Sequence, residues 1–108
     1  MISVDRALDA LGDPTRRQVL KRLRGGPCSV GTIAQGMDVT RPAVSQHLKV
    51  LRNAGLVAVR SAGTRRLYEI DMRGIKAMRS WLDGFWDEAL AAFKTAAEQR
   101  AAKERKVP

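Results

Sequence analysis

The chain has 108 residues, enough for one domain with a modest core, and domains of this size gain stability by association. Hydrophobic residues make up 44% and charged residues 29% of it, which excludes a disordered chain of low hydrophobicity. The 20 Lys and Arg against 11 Asp and Glu give a formal net charge of +9, which favours a polyanionic partner. That partner is either nucleic acid or an acidic membrane surface, although high net charge also serves solubility.

The first helix is predicted over residues 5–11, whose apolar side chains are spaced for one face. Asp13 followed by Pro14 is a helix-start signal, because the carboxylate accepts from a free N–H and proline is tolerated in the first turn. The second helix therefore begins here, and the Gly-Gly-Pro run at residues 25–27 ends it.

Two further helices follow, separated by a short turn that contains glycine. Ser29 is the predicted N-cap of the third helix, and Gly36 supplies the turn, where a positive φ is expected. Thr40 starts the fourth helix and Gly55 caps its C-terminal end. The inward positions of the fourth helix are Val44, Leu48 and Leu51.

After residue 56 the apolar period changes from helical to alternating. Val57 and Val59, then Tyr68 and Ile70, predict two half-buried strands with a hairpin tip at residues 61–64. The order of elements thus predicts a mostly α fold with a two-stranded β-wing, the winged helix-turn-helix arrangement α1-α2-α3-α4-β1-β2-α5.

A long last helix is predicted from Asp71 or Met72 toward Ala102. Gly74 and Gly84 weaken helix propensity there by up to about 1 kcal/mol each, so a bend or break is expected. We expect residues 1–102 to form one DNA-binding and dimerisation domain, and residues 103–108 to form a charged, frayed tail.

The outward positions of the fourth helix carry the strongest functional signal. A helix fits the major groove of B-DNA, where its first turns read base edges and later positions meet backbone phosphates. The candidate reading residues are Arg41, Ser45 and Gln46, and the candidate phosphate contacts are Lys49 and Arg52. A solvated amphipathic face is the alternative, but no Asp or Glu interrupts the basic residues between Arg41 and Arg66, whereas soluble surfaces mix their signs.

The predicted wing brings Arg60, Arg65 and Arg66 close to Gly63. An exposed hairpin with arginines at its tip suits a minor groove, although arginines also protect an exposed strand edge from pairing. The single histidine, His47, either donates to a base or phosphate, or lies half-buried and bonds a backbone carbonyl.

Two segments resemble a known family. The residues ALGDPTR at 10–16 and VSQHLKVLRNAGLV at 44–57 resemble the arsenic-repressor-like (ArsR) family of bacterial winged-helix regulators, and the likeness extends over residues 8–70. It implies a homodimer that represses by occupying a palindromic operator in double-stranded DNA, with protomers meeting through the first and last helices. It also implies that Ser45, Gln46 and His47 enter the major groove, and that phosphate or wing contacts come from Lys49, Arg65 and Arg66.

The chain departs from this family at the sensor. Metal-sensing members carry a Cys-x-Cys pair on the helix before the turn, or carboxylate and histidine ligands on the last helix. Here the matching stretch holds only Cys28, and the last helix has neither His nor Cys. One thiolate and one imidazole cannot build a four-coordinate site, so no metal and no cofactor is predicted, and any small-molecule effector is left unassigned. Cys28 is either a small buried apolar residue or a redox switch.

The last helix also carries an aromatic-rich stripe, similar to the branch of the family without metal ligands. Packing within the domain is one explanation, but a dimer interface is favoured because a helix at the chain end has few other partners. The predicted interface residues are Leu8, Leu11, Met78, Trp81, Leu82, Phe85 and Phe93.

The cellular compartment is predicted from the cysteine content and from the apolar segments of the chain. A single cysteine cannot form an internal disulfide, which fits a reducing environment. Residues 1–5 lack a basic region leading into an apolar run, so no signal peptide is expected. No apolar stretch approaches the roughly 20 residues needed to cross a bilayer. The sequence therefore predicts a cytoplasmic protein with no membrane partner.

Two other classes of function compete with a sequence-specific repressor. A nonspecific architectural DNA-binding protein would have no use for base-reading side chains such as Arg41 and Gln46. An enzyme would need a nucleophile with its base, a metal cluster or a phosphate-cradling loop, and Gly25-Gly26 lacks the spacing and the lysine of such a loop. No catalytic residue is predicted.

Overall fold

A computed structural model describes residues 3–105, and the chain divides into two compact units, one ending at Met78 and one beginning at Arg79. No helix among the described residues is long and apolar enough to span a membrane. The winged helix-turn-helix order predicted from the sequence is confirmed. The elements are α1 (Val4–Ala10), α2 (Pro14–Arg22), a 3₁₀ turn (Leu23–Gly25), α3 (Val30–Gln35), α4 (Arg41–Asn53), β1 (Val57–Ala62), β2 (Arg65–Ile70) and α5 (Met72–Arg105).

Side-chain caps begin α2, α3 and α4 at the residues expected from the sequence. The Asp13 carboxylate accepts from the backbone N–H groups of Thr15 and Arg16 at 2.7 and 3.2 Å. Ser29 caps α3 and Thr40 caps α4 in the same way, each through its hydroxyl oxygen. A cap supplies an acceptor for an N–H that has no partner within the helix, which is why local sequence alone locates these ends.

Two arginines of α2 donate hydrogen bonds to backbone carbonyls at the C-terminal end of α1. Arg16 Nε donates to the carbonyl oxygen of Ala10, and Arg17 Nη1 donates to that of Leu11, both at 2.7 Å. Arg16 also lies 3.7 Å from the Asp13 carboxylate. The segment at residues 10–16 is therefore a compact corner in which one helix ends and the next begins.

Gly36, at the C-terminal end of α3, does not have the positive φ expected of it. Its φ is −96°, a value that any residue adopts. An added Cβ would instead overlap the guanidinium of Arg22, which rests against the glycine. The expectation of a positive φ at this glycine was therefore wrong, and the space beside its Cα is taken by the movable end of an arginine side chain from α2. At Gly55 the expected cap is confirmed, with a φ of 80°.

The wing is a two-stranded antiparallel sheet in which Val57 pairs with Ile70 and Val59 with Tyr68. The predicted tip at residues 61–64 is too long, because Ser61 and Ala62 continue β1 and pair with β2. The tip is Gly63 and Thr64, and Gly63 has a φ of 64°, the left-handed conformation that short hairpin turns use. Cys28 joins the other side of β2 through two backbone hydrogen bonds with Tyr68, at 2.9 and 2.8 Å.

The core of the first unit surrounds α4, which packs against α2, α3 and β1. The predicted inward positions Val44, Leu48 and Leu51 are completely buried, as are Val19 and Leu56. Because these side chains fix the rotation of α4 about its axis, they also decide which of its residues remain exposed.

The predicted long last helix is confirmed, and α5 begins at Met72. Neither Gly74 nor Gly84 ends the helix. Gly74 is buried against the backbone of Gly55, so closely that an added Cβ would overlap the Gly55 carbonyl oxygen. The helix extends through Arg105, three residues beyond the predicted end at residue 102. Residues 106–108 of the predicted tail lie outside the described part of the chain.

Candidate nucleic-acid interface

The predicted DNA-contacting side chains of α4 lie on its exposed face. Burial of the opposite face against the core leaves five of the candidates in solvent, and His47 is half-buried at the edge. The exposed candidates are Arg41, Ser45, Gln46, Lys49 and Arg52. The structure thus gives α4 one face that packs and one face that is free to enter a groove.

The wing and α4 enclose a groove of about 370 Å³. Its lining combines three exposed cations with neutral hydrogen-bonding groups and includes no carboxylate. The lining residues are Ser45, Lys49, Arg52, Asn53, Arg66 and Tyr68. Within residues 3–105, none of the three cations is within ion-pair distance of a carboxylate, so their charge is available to an external anion. We refer to this feature as the α4–wing groove.

Asn53 and Tyr68 were not among the predicted site residues. The sequence assigned Tyr68 only to a strand. Its spacing does carry a signal, because Arg66 and Tyr68 are two residues apart on β2 and therefore lie on the same face of the strand. The Arg66 guanidinium carbon lies 5.9 Å from the centre of the Tyr68 ring, a cation–π distance that orients the arginine.

The three wing arginines are placed differently. Arg65 and Arg66 are exposed next to the tip, and Arg65 is the strand residue nearest the tip, where it pairs with Ala62 of β1. Arg60 lies further from the tip, with its Nε 4.0 Å from a carboxylate oxygen of Glu69 on the neighbouring strand. Part of the Arg60 charge is therefore already balanced within the wing, which leaves Arg65 and Arg66 as the better candidates for DNA.

Arg41 is held at the beginning of α4 by the preceding helix. A Cβ added to Gly31 of α3 would lie 3.1 Å from Arg41 Nη2 and 3.3 Å from its Cζ, so the guanidinium lies against this glycine. The helix-turn-helix pair therefore shares one surface at this point, with the arginine crossing from α4 onto α3.

His47 lies at the edge of the exposed face of α4. It is half-buried, and no hydrogen bond from its ring is present among the described residues. The backbone N–H groups of Arg16 and Thr15, together with the positive charge of Arg16, lower the pKa of the neighbouring Asp13 carboxyl.

Cys28 is half-buried against the core, with its Sγ 3.5 Å from the carbonyl oxygen of Gly26. In the part of the chain that the structure describes, no three His, Cys, Asp or Glu side chains come together as a metal site.

The predicted dimer residues fall into two groups. Five are large apolar side chains with exposed fractions between 40% and 73%, namely Leu8 of α1 and Trp81, Leu82, Phe85 and Phe93 of α5. On α5, the rings of Trp81 and Phe85 stack with centres 5.7 Å apart, and Trp86 packs edge-on against Phe85 at 5.9 Å. Leu11 and Met78 are half-buried against the core of the first unit, which leaves less of each for a partner.

Comparison with known proteins agrees with this geometry. Residues 11–60 match the family described as a helix-turn-helix domain. The chain is 54% identical over 91 residues to the HTH-type transcriptional regulator Rv2034 of Mycobacterium tuberculosis, covering 84% of this chain and 85% of that protein. It is 30% identical over 76 residues to the transcriptional repressor SdpR of Bacillus subtilis, covering 70% and 84%.

Solved structures of similar sequence have the same fold as this chain. An ArsR-like transcriptional regulator from Rhodococcus sp. RHA1 has a TM-score of 0.74 at 29% identity, covering 87% of this chain and 92% of that one. The homodimeric winged helix-turn-helix DNA-binding domain of Mb0332 from Mycobacterium bovis has a TM-score of 0.64 at 30% identity, covering 79% of each.

The fold and the exposed basic face of α4 define a winged helix-turn-helix DNA-binding protein. The chain belongs to the ArsR-type family of transcriptional regulators.

Proposed function

We propose that the protein is a homodimeric repressor that occupies a palindromic operator in double-stranded DNA. The α4–wing groove carries this proposal, because it places Lys49 and Arg52 of α4 and Arg66 of the wing around one surface without a carboxylate. A phosphodiester backbone is the ligand that such a set of donors suits, and occupancy of the site would block transcription from an overlapping promoter. The repressor named among the relatives supports this direction of regulation.

Side chains of α4 divide between reading and positioning. Arg41, Ser45 and Gln46 lie on the exposed face within the first turns, where a helix in the major groove meets base edges. His47, at the edge of this face, adds a further donor. Lys49 and Arg52 come later on the helix and, with Arg65 and Arg66 of the wing, would hold phosphates or enter the adjacent minor groove.

A second protomer is needed to cover the exposed apolar surface. Trp81, Leu82 and Phe85 on α5 are large apolar side chains in solvent, with the two aromatic rings stacked, and a monomer rarely leaves a patch of this kind uncovered. The homodimeric state of the Mb0332 domain supports a second copy as the partner. Two copies of α4 would then read half-sites about one helical turn apart, roughly 34–36 Å. We place this activity in the cytoplasm, with no membrane partner and no enzymatic step.

The experiment that tests the proposal is a binding measurement on the promoter region of the protein's own gene, against unrelated DNA of equal length, at two salt concentrations. A preference that persists at the higher salt, with a symmetric footprint, is the expected result. Equal and salt-sensitive binding to both duplexes, followed by a random-sequence selection that recovers no motif, would instead identify a nonspecific architectural protein.

A further inference from the structure

A second group of cations lies outside the α4–wing groove, where α2 ends. Lys21, Arg22 and Arg24 are all exposed. Among residues 3–105, the ion pairs present involve other arginines, so these three have no carboxylate within ion-pair distance. Three uncompensated cations within four consecutive positions repel one another, and an anion bound between them would relieve that repulsion.

The three cations line a cleft of about 450 Å³ whose opposite wall comes from α3 and the segment before it. That wall consists of Cys28, Thr32 and Ile33, and no carboxylate lines the cleft. Asp38 lies on the other side of Arg22, in a separate depression that also includes Lys21. The cleft therefore presents positive charge and the Thr32 hydroxyl, which is the chemistry of a phosphate site.

This cleft adjoins the candidate interface at two points. Gly31, against which the Arg41 guanidinium lies, directly precedes Thr32 in α3. Cys28 is hydrogen-bonded to Tyr68, which lines the α4–wing groove. The two groups of cations are thus connected through α3 and through the wing sheet, within the same compact unit.

We propose that Lys21, Arg22 and Arg24 form a second phosphate-binding surface, which holds the DNA backbone flanking the segment that α4 reads. The proposal rests on the proposed function, since it assumes that the unit binds duplex DNA. A lipid surface fits less well, because none of the large exposed apolar side chains lies between residues 17 and 36 and membrane attachment uses apolar insertion together with charge.

The test compares two variants with the same loss of charge. The first is Lys21→Gln, Arg22→Gln and Arg24→Gln, and its matched control is Lys94→Gln, Lys103→Gln and Arg105→Gln on the exposed surface of α5. Affinity is measured by fluorescence anisotropy over a salt series, on a duplex limited to the footprint and on one extended at both ends. Wild type should bind the extended duplex more tightly than the short one, and we expect the first variant to lose this difference. The magnitude of its slope of log K against log salt should also fall, by about 0.9 per lost phosphate contact. The control should keep the wild-type gain and slope.

A wild-type gain and slope in the first variant, with a folded circular dichroism spectrum, would overturn the proposal. Because Arg22 rests against Gly36, the double variant Lys21→Gln with Arg24→Gln leaves that contact in place and repeats the test if the triple variant unfolds. Binding of wild type to vesicles containing phosphatidylserine, lost in the variant while DNA binding is unchanged, would also overturn it.

The slope comparison needs no operator, since it is made equally well on a duplex of arbitrary sequence. A wild-type protein that binds all sequences alike would therefore refute the repressor and still allow the second surface to be tested. A protein that binds no duplex at all would refute both.

Discussion

Gly74 of α5 contacts the backbone of Gly55, the residue with a positive φ just beyond α4, so closely that an added Cβ would overlap the Gly55 carbonyl oxygen. The neighbouring Asp71 N–H donates to the Leu56 carbonyl oxygen at 2.9 Å, which fixes the same junction. The start of α5 is thereby joined to the segment that follows α4 by backbone contacts that leave no room for a side chain at position 74.

Replacing Gly74 by alanine should destabilise the first unit by about 1–3 kcal/mol, because the backbone must move to accept the methyl group. Gly84 provides the matched control, since an added Cβ there meets nothing within 4 Å. Gly84→Ala should stabilise the helix by up to about 1 kcal/mol through propensity alone. Urea denaturation of both variants measures the difference, and equal midpoints would contradict the close approach.

Replacing Gln46 by alanine should weaken operator binding by about 1–3 kcal/mol and relax specificity at one base pair, because a reading contact is lost. Replacing Arg65 by alanine should weaken binding to all sequences evenly, because a phosphate or minor-groove contact carries little sequence information. Affinities for a set of single-base operator variants distinguish the two patterns. Identical profiles for both substitutions would refute the division between reading on α4 and positioning on the wing.

Replacing Trp81 or Phe85 by glutamate should produce monomers with much weaker operator binding, because a charge would be buried among aromatic rings in the interface. Ala91→Glu is the control, since this exposed residue lies on the side of α5 away from the aromatic stripe. Sedimentation velocity gives the oligomeric state of each variant. A dimer that survives Trp81→Glu and Phe85→Glu would remove these residues from the interface.

Acidification should destabilise the first unit through two carboxyls. The backbone N–H of Arg16 lowers the pKa of Asp13, and the side chain of Arg73 lowers the pKa of Asp71. A carboxyl with a lowered pKa in the folded state adds stability above its unfolded pKa, about 3.9 for Asp, and that stability is lost as the pH falls through the folded value.

Asp13→Asn and Asp71→Asn should each reduce this loss, and the double variant should reduce it further. Urea midpoints between about pH 2 and pH 5 provide the measurement. Variants that keep the full wild-type dependence would assign the acid sensitivity to other carboxyls.

Local features of this chain were predictable from the sequence. The caps Asp13, Ser29 and Thr40 were located correctly because capping joins a side chain to backbone groups two or three residues away. The inward face of α4 was equally clear, since burial of Val44, Leu48 and Leu51 follows from helical spacing. The exposed basic residues of the same helix then followed by subtraction.

Features that join distant parts of the chain were not predictable in this way. The Arg22 guanidinium of α2 rests against Gly36 beyond the end of α3. Tyr68 lines the α4–wing groove because its strand β2 pairs with β1, which packs against α4. The cleft at Lys21 and Arg24 is formed by residues of α2 and α3 together. Periodicity and capping depend on neighbours along the chain, whereas these contacts depend on how whole helices and strands pack. The sequence by itself therefore determined the elements and the charge they carry, and the tertiary structure decided which of those charges share a surface.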